Sequence, residues 1–168
     1  MRLAALLPIV ALFRMGSYGA SAILFVAAML TDCIDGWLAR RFNRRTSLGI
    51  YLDPVVDKIV VIALLYELAR AGLLSTLVAH LFLAREFLHN AIRAAAAQQG
   101  TLIGANRMGK TKAALQTALI TVGLAMPGCV RADHSIYAAY SAGAWTVLAL
   151  SWVFFGVFAR RNRKALSG

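Results

Sequence analysis

Four aspartates, Asp32, Asp35, Asp53 and Asp57, fall within 26 residues of a chain that carries seven acidic residues in all. The spacings of three and four put both members of each pair on one face of a helix. The connection from Arg40 to Gly49 is short enough to make two such helices antiparallel neighbours, so the two pairs can converge. Carboxylates held that close repel one another unless cations intervene. Four negative charges match two divalent ions, and hard oxygen donors suit Mg²⁺ or Mn²⁺. A two-metal centre stabilises the attacking and leaving oxygens of an in-line displacement at phosphorus. The blander alternative makes these residues interfacial caps and ion-pair partners of Arg40, Arg41 and Lys58. Two pairs on adjacent helices in an acid-poor chain weigh against it.

The elements that would position these aspartates are apolar helices. Of the 168 residues, 60% are hydrophobic and 15% charged, where a soluble domain carries about 25% charged residues. The charges gather between apolar stretches of near-spanning length. The expected fold is therefore all-α: a polytopic membrane protein, a six-transmembrane-helix bundle forming a single integral-membrane catalytic domain over 1–168. The spans are read at 3–13, 19–38, 50–69, 73–94, 108–126 and 136–158, with Gly72, Gly100, Gly104 and Pro127-Gly128 punctuating the connections. The first span is short, rising ~16 Å against a hydrocarbon layer of about 30 Å. It is a truncated or interfacial helix, or its upstream part lies outside this sequence. Pro54 falls in the first turns of the third helix if that helix starts near Gly49, where proline costs least.

Orientation follows from the basic residues. Segments 39–49, 93–112 and 159–168 carry four Lys or Arg each, whereas the alternate turns carry one apiece, Arg14, Arg70 and Arg131. That asymmetry puts both termini and the aspartates at the cytoplasmic face. The net charge of +11 is then explained by topology and by anionic membrane lipids, with no nucleic-acid partner expected. Cys33 and Cys129 fall toward opposite faces, so no disulfide is expected between them. The first apolar stretch has no small-residue cleavage site of the signal-peptide kind.

Asp32-Cys-Ile-Asp35-Gly36-Trp-Leu-Ala39-Arg40, then Gly49, Asp53 and Asp57, resembles the signature of the CDP-alcohol phosphatidyltransferase family, with all eight defining positions occupied. The resemblance implies displacement of CMP from a CDP-linked lipid by an alcohol, assisted by divalent metals. It makes Asp32, Asp35 and Asp53 ligands of two Mg²⁺ or Mn²⁺ ions that hold the pyrophosphate. Asp57 becomes the general base for the acceptor hydroxyl and a further metal ligand. Gly36 and Ala39 would leave room for the nucleotide, Arg40 would neutralise phosphate, Gly49 would let the helices approach, and Thr31 would touch the nucleotide. Helix packing and topogenic charge are the ordinary alternatives for the small residues and for Arg40.

Beyond the signature, Leu52-Asp53-Pro54-Val-Val-Asp57-Lys58, Ala84-Arg85-Glu86-Phe87, Ile92-Arg93 and Gly109-Lys110-Thr111-Lys112 resemble the phosphatidylglycerophosphate synthase branch. The likeness runs over about residues 2–125. It implies CDP-diacylglycerol and glycerol 3-phosphate as substrates, a bacterial inner membrane, and a homodimer as is usual for the family. Members usually carry an interfacial segment before the first span, and this sequence begins at that point. A phosphorylated acceptor needs cations, and Arg85, Arg93, Lys110 and Lys112 are the expected acceptor-phosphate ligands. Arg85 lies deepest in an apolar helix; its alternative is an ion pair with Glu86 or Glu67. His80 and His89 read as packing or hydrogen-bonding residues. Other acceptors, inositol phosphate or phosphatidylglycerol, stay open. So do an ion transporter, whose acids would sit near the bilayer midplane, and a catalytically dead scaffold.

Overall fold

The structure, a computed structural model, describes the backbone of residues 2–41, 47–98 and 107–162; the side chains of residues 2, 32, 33, 35–41, 47–55, 57, 107 and 131 lie outside the described part. The described residues form seven helices and no strand. These are α1 (Arg2–Arg14), α2 (Tyr18–Arg41), α3 (Ser47–Arg70), α4 (Thr76–Gln98), α5 (Arg107–Ala125), α6 (Pro127–Ala132) and α7 (His134–Arg161).

Local chemistry sets most of the boundaries. Gly16 (φ 82°) and Gly72 (φ 75°) take the left-handed conformation just past α1 and α3. The Gly16 and Ser17 amides donate to the Phe13 and Leu12 carbonyls, and the Gly72 and Leu73 amides to those of Ala69 and Leu68. Both helices thus stop in a Schellman motif, which satisfies their last carbonyls without water. At the start of α4 the Ser75 hydroxyl accepts from the Leu77 amide at 3.3 Å, and Asp133 caps α7 by accepting from the Ser135 amide at 2.8 Å.

Two boundaries differ from the sequence reading. The third helix begins at Ser47, so Pro54 is its eighth residue and lies beyond the first turn. The helix continues through it at the cost of one backbone hydrogen bond. The long apolar run after it, anchored by the fully buried Leu64, Leu65 and Leu68, holds α3 in place. The second difference is α6: Pro127-Gly128, read as a connection, opens a six-residue helix with Pro at its start, where a missing amide is harmless.

Among the described residues, α7 is the one helix long and apolar enough to cross a bilayer; the apolar stretches Leu3–Arg14 and Tyr18–Thr31 are shorter. Charged residues such as Lys58, Glu67, Arg85, Glu86, Lys110 and Lys112 interrupt the others. Many outward side chains are large and apolar, including Leu7, Ile23, Leu30, Ile34, Phe87 and Val153.

The helices pack with α1 against α2 and α3, α2 against α5, α3 against α4 and α5, and α7 against α4, α5 and α6. The buried apolar cluster draws on Ile9, Phe13, Phe25, Leu64, Leu68, Ile120 and Leu124 among others. Gly123 shows how tight it is. A Cβ there would lie 2.8 Å from Leu68 Cδ1 and collide with the Tyr140 hydroxyl, which donates to the Leu119 carbonyl at 3.1 Å. Glycine lets α3, α5 and α7 meet at this point. One ion-pair cluster ties α1 to α3 nearby: buried Glu67 accepts from Arg14 Nε and Nη2 at 2.8 and 2.9 Å, and from Arg70 Nη2 at 2.5 Å.

Candidate active site

The apolar cluster draws on the C-terminal parts of α3 and α5 and the start of α7; the opposite ends of the same helices carry a charged cleft. Lys58 comes from α3, Arg85, Glu86, His89 and Arg93 from α4, Gly109, Lys110, Lys112 and Ala113 from α5, and Phe158 from α7. They enclose about 300 Å³. Positions 85/86, 89 and 93 repeat at helical spacing, so a single face of α4 supplies one wall.

Glu86 organises the floor. Its side chain is 6% exposed, and Oε1 accepts from Arg85 Nη1 at 2.9 Å and from Lys112 Nζ. Arg85, only 4% exposed, also donates from Nε to the Ser151 carbonyl of α7 at 3.3 Å. A buried carboxylate is tolerable only when paired, and here two cations share it. Lys58 reaches across from α3 to donate to Asn90 Oδ1. The His89 ring stacks on Phe158, with centroids 4.2 Å apart and planes 28° apart. Among the described residues five cations and one carboxylate line the cleft, an arrangement able to hold a phosphate by charge-assisted hydrogen bonds.

All four residues expected to contact the acceptor phosphate, Arg85, Arg93, Lys110 and Lys112, line this one cleft. Arg85 takes the Glu86 partner that the sequence offered as its alternative, while Glu67 pairs with Arg14 and Arg70 instead. The sequence reading had not placed Lys58 or His89 in the site. Lys58 carried a signal, as a charge inside an apolar helix one residue after Asp57. His89 carried another, since it shares a helix face with Arg85 and Arg93. His80 stands apart, donating from Nδ1 to the Thr76 carbonyl at 2.7 Å and meeting Tyr66 edge-on.

Asp32 and Asp35 occupy i,i+3 positions in the C-terminal part of α2, and Asp53 and Asp57 occupy i,i+4 positions in α3. Their side chains lie outside the described residues, as do those of Gly36, Ala39, Arg40 and Gly49. The Thr31 hydroxyl donates to the Ala27 carbonyl at 2.8 Å, within its own helix. Cys129 is a free, exposed thiol. No group of three or more His, Cys, Asp or Glu stands together among the described residues. The four aspartates, expected from the sequence to ligate metal, carry hard oxygen donors of the type suited to Mg²⁺ or Mn²⁺.

A second, apolar groove of about 340 Å³ runs between α3 and α4, lined by Ile59, Ile62, Ala63, Leu83 and Phe87, with Lys58, Glu86 and Asn90 also on its walls. Lys58 and Glu86 line both cavities.

Comparison with known proteins decides the family. The model of the CDP-alcohol phosphatidyltransferase family matches residues 1–157. The chain belongs to the CDP-alcohol phosphatidyltransferase family. The match continues past the signature helices into α7, further than the likeness read from the sequence. A CDP-diacylglycerol–glycerol-3-phosphate 3-phosphatidyltransferase of Bacillus subtilis (strain 168) is 39% identical over 93 residues, covering 55% of this chain and 48% of the relative. One from Sodalis glossinidius (strain morsitans) is 34% identical, covering 74% of this chain and 71% of the relative. A cardiolipin synthase (CMP-forming) of Oryza sativa subsp. japonica is 36% identical, covering 74% of this chain and 43% of the relative. The chain spans about half the length of the Bacillus and Oryza relatives. CDP-alcohol phosphatidyltransferases are membrane-embedded and generally divalent-metal dependent.

Proposed function

We propose that this CDP-alcohol phosphatidyltransferase is a phosphatidylglycerophosphate synthase, moving the phosphatidyl group of CDP-diacylglycerol to glycerol 3-phosphate with release of CMP. The observation that carries the reading is the cationic cleft beginning at Lys58, one position along α3 from Asp57. A phosphate-bearing acceptor bound there sits beside the helix turn that bears the catalytic carboxylates. The names of the Bacillus and Sodalis relatives support the same acceptor.

In this reading Asp32, Asp35, Asp53 and Asp57 hold two Mg²⁺ or Mn²⁺ ions, which supply charge neutralisation at the donor pyrophosphate. Asp57 takes the proton of the acceptor hydroxyl as its oxygen bonds to the phosphorus of the diacylglycerol phosphate. The bond from that phosphorus to the oxygen of CMP breaks, and CMP leaves. Arg40 neutralises nucleotide phosphate; Thr31, Gly36, Ala39 and Gly49 shape the space for CDP. Arg93, Lys110 and Lys58 face the acceptor phosphate. Arg85 and Lys112, both engaged by Glu86, form the floor beneath it.

The bundle spans the membrane six times with both ends and the cleft at the cytoplasmic face, α6 being an extramembrane turn. The length of α7, the large apolar side chains on the outer faces and the basic segments at one end support this. The membrane is a bacterial inner membrane, the chain works as a homodimer, and anionic lipids are its surroundings; nucleic acid is no partner.

A specific observation favours one second reading. The apolar groove opens onto the same Lys58 and Glu86, so an acceptor with acyl chains, phosphatidylglycerol, could also be held, as the name of the Oryza relative suggests. The test is an acceptor panel on purified protein with CDP-diacylglycerol and Mg²⁺ or Mn²⁺, with and without EDTA. Glycerol 3-phosphate should give CMP and phosphatidylglycerol phosphate, and EDTA should stop it. Turnover with phosphatidylglycerol or inositol phosphate alone would sink the assignment.

A further inference from the structure

The lining of the cleft is chemically uneven. Lys58, Arg85, Arg93, Lys110 and Lys112 are pure donors, suited to the oxygens of a phosphate. Glu86 already accepts from two of them. Among the described residues the remaining polar side chain is the His89 imidazole, which can donate or accept at a given nitrogen according to its tautomer. A hydroxyl group has the same two-way capacity, so either tautomer can serve it.

The ring is also held in one place. Phe158 stacks against its face at 4.2 Å, while Nδ1 is buried and has no hydrogen-bond partner. With Nδ1 closed off, a molecule in the cleft would meet the ring at Nε2. A flat, clamped ring can read one atom of a ligand, which long flexible lysines do poorly.

Resting on the reading of glycerol 3-phosphate as acceptor, the geometry points to His89 as the residue that selects a polyol phosphate, its Nε2 exchanging a hydrogen bond with the acceptor's secondary hydroxyl. That hydroxyl neither reacts nor carries the phosphate. Binding it fixes the carbon between the two, and so aims the primary hydroxyl at the phosphorus.

The test compares glycerol 3-phosphate with 3-hydroxypropyl phosphate, which keeps the phosphate and the reacting hydroxyl and lacks the secondary one. Wild-type protein should prefer glycerol 3-phosphate in kcat/KM by about tenfold, the effect of one hydrogen bond between neutral groups. His89→Ala should lose about tenfold on glycerol 3-phosphate and change little on 3-hydroxypropyl phosphate, so the preference collapses. His89→Gln, which restores a donor and acceptor, should recover part of it, and the KM for CDP-diacylglycerol should stay put in both variants. An equal fall on both acceptors, with no recovery in His89→Gln, would mark His89 as merely structural and overturn the assignment. A preference that survives in His89→Ala would overturn it as well. Wild-type protein inactive on both acceptors would instead refute the acceptor assignment, and the inference with it.

Discussion

Glu86 is the point at which the cleft can be stressed most informatively. Glu86→Gln keeps the shape of the side chain and removes its charge, leaving Arg85 and Lys112 as neighbouring cations with no shared carboxylate. Breaking a buried pair by deleting one partner costs ~3–5 kcal/mol. The lower end applies here, because Arg85 keeps the Ser151 carbonyl and the cleft admits water to Lys112, whose side chain is 11% exposed. A loss of about 3 kcal/mol corresponds to a fall in Tm of roughly 6–12 °C for a chain of this size. Thermal unfolding of detergent-solubilised protein reads it directly. Two further arms identify the cause. Glycerol 3-phosphate should raise the Tm of the variant more than that of the wild type, since an added phosphate replaces the missing anion. Adding Lys112→Met should recover part of the loss, because one unpaired cation is easier to bury than two. An unchanged Tm in Glu86→Gln would refute the claim that this carboxylate holds the floor together.

Other consequences are as sharp. Asp57→Asn should lower CDP-diacylglycerol-dependent CMP release by about 10²–10⁴-fold, the usual weight of a general base; unchanged release would remove Asp57 from that role. Gly123→Ala should destabilise the bundle by about 1–3 kcal/mol through the collision with Leu68 and the Tyr140 hydroxyl, and Tyr140→Phe in the same chain should relieve part of it, both read as Tm. Asp133 gives a pH effect: the Ser135 hydroxyl and amide hold its carboxyl below the usual 3.8. Its contribution to stability is therefore complete above about pH 3.8 and fades as pH falls through the lower folded value. Asp133→Ala should flatten that acid limb of a Tm-against-pH profile, and an unaltered limb would count against the cap.

The helices were legible because long apolar runs and their Gly stops are local features: Gly16 and Gly72 end α1 and α3 through their own backbone conformation. The six residues of α6 were not legible, being too few for any periodicity to show. Within the site, the residue types were readable and their partners were not. Arg85 and Glu86 are adjacent in sequence, yet the third member of their cluster, Lys112, arrives from another helix. One partner of Glu67 lies 53 positions away in Arg14. Which face of α3 meets α4, and which face of α4 meets α7, depends on side-chain volumes across the whole bundle, and one sequence does not display that. Lys58 and His89 joined the cleft for this reason. The aspartates rest on the signature and on the helical register of α2 and α3.

The clasp between Arg14 and Glu67 bears on how the chain enters a bilayer. α1 is tied to α3 across 53 positions of sequence. Its ionic tether is not synthesised until α3 emerges from the ribosome. The docking of α1 on α3 therefore waits for the two helices that follow it. Damage at Glu67 would then appear first in biogenesis, as slow or incomplete docking of α1 on α3, before any change in turnover.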